Sequence, residues 1–117
     1  MRVAIVGCRS AKNININKIA ALIPKGCVEI VSGGSTGIDH AAEIISKKIG
    51  VKLTVFLPDY KKYGKRACII RNSQIVKNSD IVYAFWDYKS RGTANTIVQC
   101  INNNIMCRIF SINEFLL

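Results

Sequence analysis

Acidic residues are scarce in this chain: 7 Asp and Glu stand against 17 Lys and Arg, a formal net charge of +10 over 117 residues. Histidine occurs once, at His40. The cysteines, Cys8, Cys27, Cys68, Cys100 and Cys107, are odd in number and form no C-x-x-C or other metal spacing. That pattern argues against a disulfide framework or a zinc site and fits reduced thiols in a cytoplasmic protein. Long hydrophobic runs are also missing, since the opening M-R-V-A-I-V-G stops at Gly7, short of a signal h-region or a membrane span. The expectation is a chain that is neither secreted nor embedded in a membrane. No linker, repeat or low-complexity tract interrupts it, so its length predicts one compact domain over residues 1–117.

What is abundant is Ile, Lys and Asn, which make up 40 of the 117 residues and are all favoured by A/T-rich codons. Much of the lysine can therefore report genome composition. Arginine is more diagnostic, because its planar fork suits phosphate and carboxylate recognition. A basic excess alone is compatible with a phosphate-binding face or with a bland solvated surface.

Apolar periodicity switches regularly between strand and helix templates. Residues 2–7 read as a buried strand. Ile16, Ile19, Ala20 and Ile23 follow helical spacing behind Asn13 or Asn15 as N-cap, with Pro24 and Gly26 closing the helix. Strands are expected at 27–32, 52–57, 80–86 and 105–110, and helices at 38–49 and roughly 67–78, with Ala94, Ile97, Val98 and Ile101 defining a final amphipathic helix. A long loop is expected between Pro58 and Arg66. Near-continuous apolar strands alternating with helices predict an α/β, Rossmann-like, doubly wound parallel sheet of five strands. Order 3-2-1-4-5 is favoured and 2-1-3-4-5 is the alternative. In both, ligands bind beyond the carboxyl ends of the strands.

The loops at that edge are G-C-R-S-A-K-N (7–13), S-G-G-S-T-G-I-D (32–39), P-D-Y-K-K-Y-G-K-R (58–66) and D-Y-K-S-R-G-T (87–93). Gly33, Gly34 and Gly37 before one helix, and Gly92 and Thr93 before another, read as two anion cradles at helix N-termini. The bland reading is that they only make tight turns. G-x-G-x-x-G and G-x-x-x-x-G-K-[ST] are both absent, so an ordinary dehydrogenase or NTPase is poorly supported. Asp59 stands where a dinucleotide site places its ribose-binding acid, or is a turn residue. Thr36 and Asp39 form T-x-x-D, a capping box, with a sugar-hydroxyl acceptor as the functional alternative for Asp39. His40 reads as a partly exposed helix residue before a catalytic base, and Cys8 as packing before a reactive thiol. Arg9, Arg66, Arg71 and Arg91, four of six arginines, fall at this edge with Tyr60, Tyr63, Trp86 and Tyr88 among them. Guanidinium groups and rings together suit a nucleotide or a single strand.

R-V-A-I-V-G-C-R-S, I-V-S-G-G-S-T-G-I-D-H-A-A-E, P-D-Y-K-K-Y-G-K-R-A-C-I-I-R-N-S-Q-I-V and D-I-V-Y-A-F-W-D-Y-K-S-R-G-T-A-N-T-I together resemble the small SLOG-type Rossmann-like domains, over residues 2 to about 110. This superfamily holds the Smf/DprA DNA-processing proteins and the lonely-guy (LOG) phosphoribohydrolases; the best match is to short bacterial and phage members of unknown function. The resemblance implies a nucleotide or nucleotide-derived ligand (mononucleotide, dinucleotide, cyclic nucleotide or ADP-ribose-like) between the Gly33–Gly37 loop and the Gly92–Thr93 helix start. Arg71 and Asn72 then face the ligand, and Gly7, Arg9, Ser10, Ser35, Thr36, Asp39, Trp86, Asp87 and Arg91 complete the expected set. No metal and no further cofactor is required. The lonely-guy enzymes carry a catalytic glutamate in P-G-G-x-G-T-x-x-E; here Thr96 stands in its place, so glycosidic cleavage would fall to Asp39 or Asp87. The DprA branch binds single-stranded DNA, which makes nucleic acid the other partner class. Apolar helix faces permit pairing of two copies.

Overall fold

A computed structural model describes residues 1–117. The chain runs β1 (Arg2–Gly7), α1 (Ile16–Ala20), β2 (Glu29–Ser32), α2 (Ile38–Ile49), β3 (Lys52–Val55), α3 (Tyr60–Tyr63), a 3-10 turn (Gly64–Arg66), α4 (Ala67–Lys77), β4 (Ile81–Trp86), α5 (Arg91–Asn102), β5 (Met106–Ser111) and a closing 3-10 turn (Ile112–Phe115). All five strands are parallel, in the order β3-β2-β1-β4-β5. The favoured topology is the one observed.

Period-two alternation in the central strands sorts side chains to two cores. Val3, Ile5, Ile30, Tyr83 and Phe85 face α1 and α2, where Ile19, Ile38, Ala42 and Ile45 meet them. Ala4, Val6, Val31, Val82 and Ala84 face the other way, against Ile75 and Val76 of α4 and Cys100 of α5. Ile5, Ile30, Ile38 and Ile45 are fully buried, each contributing roughly 1.5–3 kcal/mol of transfer free energy. Central β1 and β4 are apolar on both faces, whereas the edge strands β3 and β5 expose Lys52 and Arg108. Arg108 lies 5.4 Å from the Tyr83 ring centroid and 5.0 Å from that of Phe110. No helix is long and apolar enough to cross a membrane.

Boundaries shift for local reasons. Asn15, not Asn13, caps α1 by accepting from the Lys18 N–H at 3.2 Å. That helix ends at Ala20, and Ile23 lies in a following turn rather than on a further helical turn. β2 starts at Glu29 because the Cys27 N–H is bound by the Pro24 carbonyl. The expected loop at 58–66 contains a helical turn, nucleated by Asp59, whose carboxylate accepts from the Lys62 N–H at 3.1 Å. Asp59 thus acts as an N-cap, the structural side of its two readings.

Candidate functional site

At the middle of the sheet β1 connects outward to β2 on one side while β4 connects to β5 on the other, leaving a crevice between the loops that leave their carboxyl ends. A cleft of about 380 Å³ opens there. Of the residues expected from sequence, Gly7, Arg9, Ser10, Ser35, Asp39, Arg71, Asn72, Arg91, Gly92 and Thr93 line it. Gly33, Gly34, Thr36, Gly37, Trp86 and Asp87 do not, and each has another task.

Gly37 adopts φ +68° and ψ −124°, a conformation open to glycine, and a Cβ there would collide with the Cys8 and Arg9 carbonyls. This close approach of the two loops gives the N-cap position to Gly37, with the helix starting at Ile38 as expected. The expected T-x-x-D capping box is therefore not formed. Thr36 donates instead to the Arg9 carbonyl at 3.1 Å, and the Asp39 carboxylate accepts from the Ser35 N–H at 3.2 Å. Gly33 leaves room for the Arg71 guanidinium, since a Cβ would lie 2.7 Å from its Nη1, and Gly34 turns beneath Leu57 and Val55. The glycines of this loop thus serve close packing against protein groups, and of its residues Ser35 and Asp39 border the cleft. Asp87 is a loop cap, accepting from the Lys89 and Ser90 N–H groups at 2.9 and 2.7 Å and from Ser90 Oγ at 3.0 Å. Those N–H groups hold its carboxyl below the usual range. Trp86 donates Nε1–H to the Ser90 carbonyl at 3.0 Å and packs on Tyr88, centroids 4.9 Å apart.

The second glycine turn leaves its helix start open. Gly92 is the second residue of α5 rather than its cap, and neither a positive φ nor a neighbour within 4 Å requires glycine there. The cap, Ser90, makes no side-chain bond to the helix, so the N–H groups of the first turn are left for water or a ligand. Ser90, Arg91, Gly92 and Thr93 all border the cleft.

Three guanidinium groups join them. Arg71 is held in place, donating from Nη1 to the Gly33 carbonyl at 2.8 Å and from Nε to Asn72 Oδ1 at 3.0 Å. Asn72, 6 % exposed, donates in turn to Asn95 Oδ1 at 3.1 Å and so ties α4 to α5. This leaves the Nη2 of Arg71 without a protein partner. Arg9 and Arg91 are exposed and form no ion pair. Arg66, grouped with them by sequence, does not reach the cleft.

Asp39 is the one carboxylate in this basic surround. It is 8 % exposed, and burial raises its pKa to about 6 against the opposing effects of the Ser35 N–H, Arg71 and Arg9. His40 points outward from α2, its Nδ1 3.7 Å from Glu43 Oε2, and takes no part. Cys8 does border the cleft, but burial and nearby Asp87 push its thiol pKa up, away from a reactive thiolate. Thr96 also borders it, 2 % exposed, its hydroxyl donating to the Gly92 carbonyl at 3.2 Å.

Val6, Cys8, Cys68, Ile75, Ser90 and Thr96 are cleft residues that the expected set omitted. The signal for Cys68 was present: positions 68, 71, 72 and 75 share one helical face, and all four line the cleft.

A doubly wound parallel sheet with a basic, helix-capped crevice at its switch point defines a Rossmann-like α/β protein. No family model matches the chain, and no curated protein does. Among solved structures, DNA processing protein A (DprA) from Streptococcus pneumoniae superposes with a TM-score of 0.68 at 19 % identity, over 92 % of this chain and 49 % of that one. The chain spans about half the length of that protein, and the two share a DprA-like Rossmann-like fold.

Proposed function

We propose that the cleft binds a nucleotide or nucleotide-derived ligand through its phosphate, as a binding or sensing site. The observation that carries this reading is the convergence of Arg9, Arg71 and Arg91 with the uncapped start of α5 on one cleft. Guanidinium forks and free helix N–H groups are the groups that recognise phosphate oxygens. A volume of about 380 Å³ lies in the range of small-molecule sites. With Asp87 committed to its own loop and Thr96 to the Gly92 carbonyl, Asp39 has no second carboxylate in the cleft to form an acid–base pair.

Calorimetry with nucleoside monophosphates and the matching nucleosides tests this. The monophosphates bind with submillimolar Kd and the nucleosides do not, and Arg91→Ala or Arg71→Ala weakens binding at least tenfold, the loss of a charge-assisted contact being worth about 1.5–3 kcal/mol. Equal binding of nucleosides and nucleotides, or indifference to both substitutions, defeats the reading.

A second reading, a single-stranded nucleic-acid binder, is favoured by the fold likeness to a DNA processing protein and by the net charge of +10. It requires oligonucleotide affinity to fall with salt at a log–log slope of about −0.7 per phosphate neutralised. Salt-insensitive or undetectable oligonucleotide binding excludes it.

A further inference from the structure

Beside the cleft, across Arg71, lies a second cavity of about 300 Å³ between the end of β3 and the α3–α4 segment. Its walls differ in chemistry from those of the first. Val55, Phe56, Leu57 and Tyr63 give it apolar and aromatic faces, and Gln74 of α4 borders it with a carboxamide that makes no hydrogen bond to protein. Val55 and Leu57 are exposed, Leu57 by 66 %, so an apolar surface is left facing solvent at a loop edge. Arg71 borders both cavities, and its bonds to Gly33 and Asn72 fix it on the boundary. Beneath that boundary run Gly33 and Gly34. A Cβ on the first would lie 2.7 Å from Arg71 Nη1, and one on the second 2.6 Å from Leu57 Cδ2, so a side chain at either would displace a wall.

From this juxtaposition we infer that the second cavity is a nucleobase subsite, and that the ligand is a unit of two nucleotides whose bridging phosphodiester lies at Arg71. The inference rests on the phosphate reading of the first cleft. A terminal phosphate sits among Arg9, Arg91 and the α5 N–H groups. The bridging phosphate meets the free Nη2 of Arg71. The second base lies against Leu57 and Tyr63, with the Gln74 carboxamide able to donate to and accept from its edge, as such groups do toward adenine. The second cavity sets the apolar side chains of Phe56, Leu57 and Ile70 beside polar ones, and its cations Lys62 and Arg71 share it with the Asp59 carboxylate, which suits a flat uncharged ring better than a further phosphate. A free dinucleotide and two successive nucleotides of a single strand share this chemistry.

Calorimetry on the full chain separates the outcomes, using a nucleoside 5′-monophosphate, a nucleoside 3′,5′-bisphosphate, a 5′-phosphorylated dinucleotide and an eight-nucleotide single strand. The dinucleotide is expected to bind at least tenfold more tightly than the bisphosphate, which carries both phosphates but no second base. In Leu57→Asp and Gln74→Ala that advantage shrinks to less than threefold, while affinity for the monophosphate changes by less than twofold. An octamer no tighter than the dinucleotide identifies a free dinucleotide as the natural form; a tighter one with a steeper salt dependence identifies the strand. Equal affinities for bisphosphate and dinucleotide, or an advantage untouched by both substitutions, overturn the subsite while monophosphate binding keeps the first cleft's role intact. Failure of the monophosphate itself to bind overturns the phosphate reading and the subsite with it.

Discussion

Replacing Asp39 by Asn should make this protein more stable at neutral pH. The carboxylate is 8 % exposed, and burial lifts its pKa from 3.8, the ordinary value for Asp, to about 6. At 1.36 kcal/mol per unit, holding it ionised in the folded state costs about 3 kcal/mol above pH 7. The raised value fixes the sign: the cost is full above the folded pKa, shrinks as pH falls through 6, and is gone below the unfolded pKa. Asn keeps an oxygen to accept from the Ser35 N–H and carries no charge. Its amide hydrogens need partners of their own, so the expected gain is about 1–3 kcal/mol at pH 7.5, falling toward zero near pH 4. Asp87 acts in the opposite sense: its depressed pKa supplies stability that is lost only in stronger acid. Because Asp87 is present in both proteins, the difference between them isolates Asp39. Urea unfolding of wild type and variant at intervals between about pH 4.5 and 8 measures that difference. A variant less stable than wild type at pH 7.5, or a difference flat across the range, would refute the electrostatic argument.

Other substitutions test other parts of the site. Gly37→Ala forces a side chain into a glycine conformation against the Cys8 and Arg9 carbonyls, and chemical denaturation should show a loss of at least about 2 kcal/mol. Gly92→Ala meets no neighbour and lies in a helix, so it should stabilise the free protein by about 0.5 kcal/mol while weakening ligand binding severalfold, if the bare backbone serves close approach of a phosphate. Unchanged binding would reduce Gly92 to a turn residue. Affinity for a phosphodiester, whose own charge is constant in this range, should rise severalfold from pH 7.5 to 5 as Asp39 is neutralised, and Asp39→Asn should abolish that rise. Calorimetry at both pH values checks it.

The sheet order was legible because β1 and β4 are apolar on both faces and every connection between parallel strands must cross over. The cleft was legible in part. Arg71, Asn72, Arg91 and Thr93 announce themselves by chemistry and by position just after a strand or at a helix start. The glycine loop misled because glycine permits close approach without naming what approaches: at Gly33 it is Arg71, at Gly37 the carbonyls of the first loop. The T-x-x-D spacing misled for a linked reason, since loop-to-loop packing at Gly37 gives the cap position to that glycine and not to Thr36. Trp86 ends β4 and Asp87 opens the loop that follows, but their hydrogen bonds to Ser90 and Lys89 go into building that loop. The contacts at Gly33 and Gly37 are tertiary and leave no trace in local sequence spacing, whereas those of Trp86 and Asp87 stay within their own loop.

The proposed phosphate site lies where the arginines meet the start of α5. Amide chemical-shift mapping during titration with a nucleoside monophosphate tests it residue by residue. Saturable shifts should centre on the N–H groups of Arg91, Gly92 and Thr93, with Arg9 and Ser10 following, and should disappear in Arg91→Ala. Shifts scattered over the lysine-bearing surface, or absent from the α5 start, would contradict it.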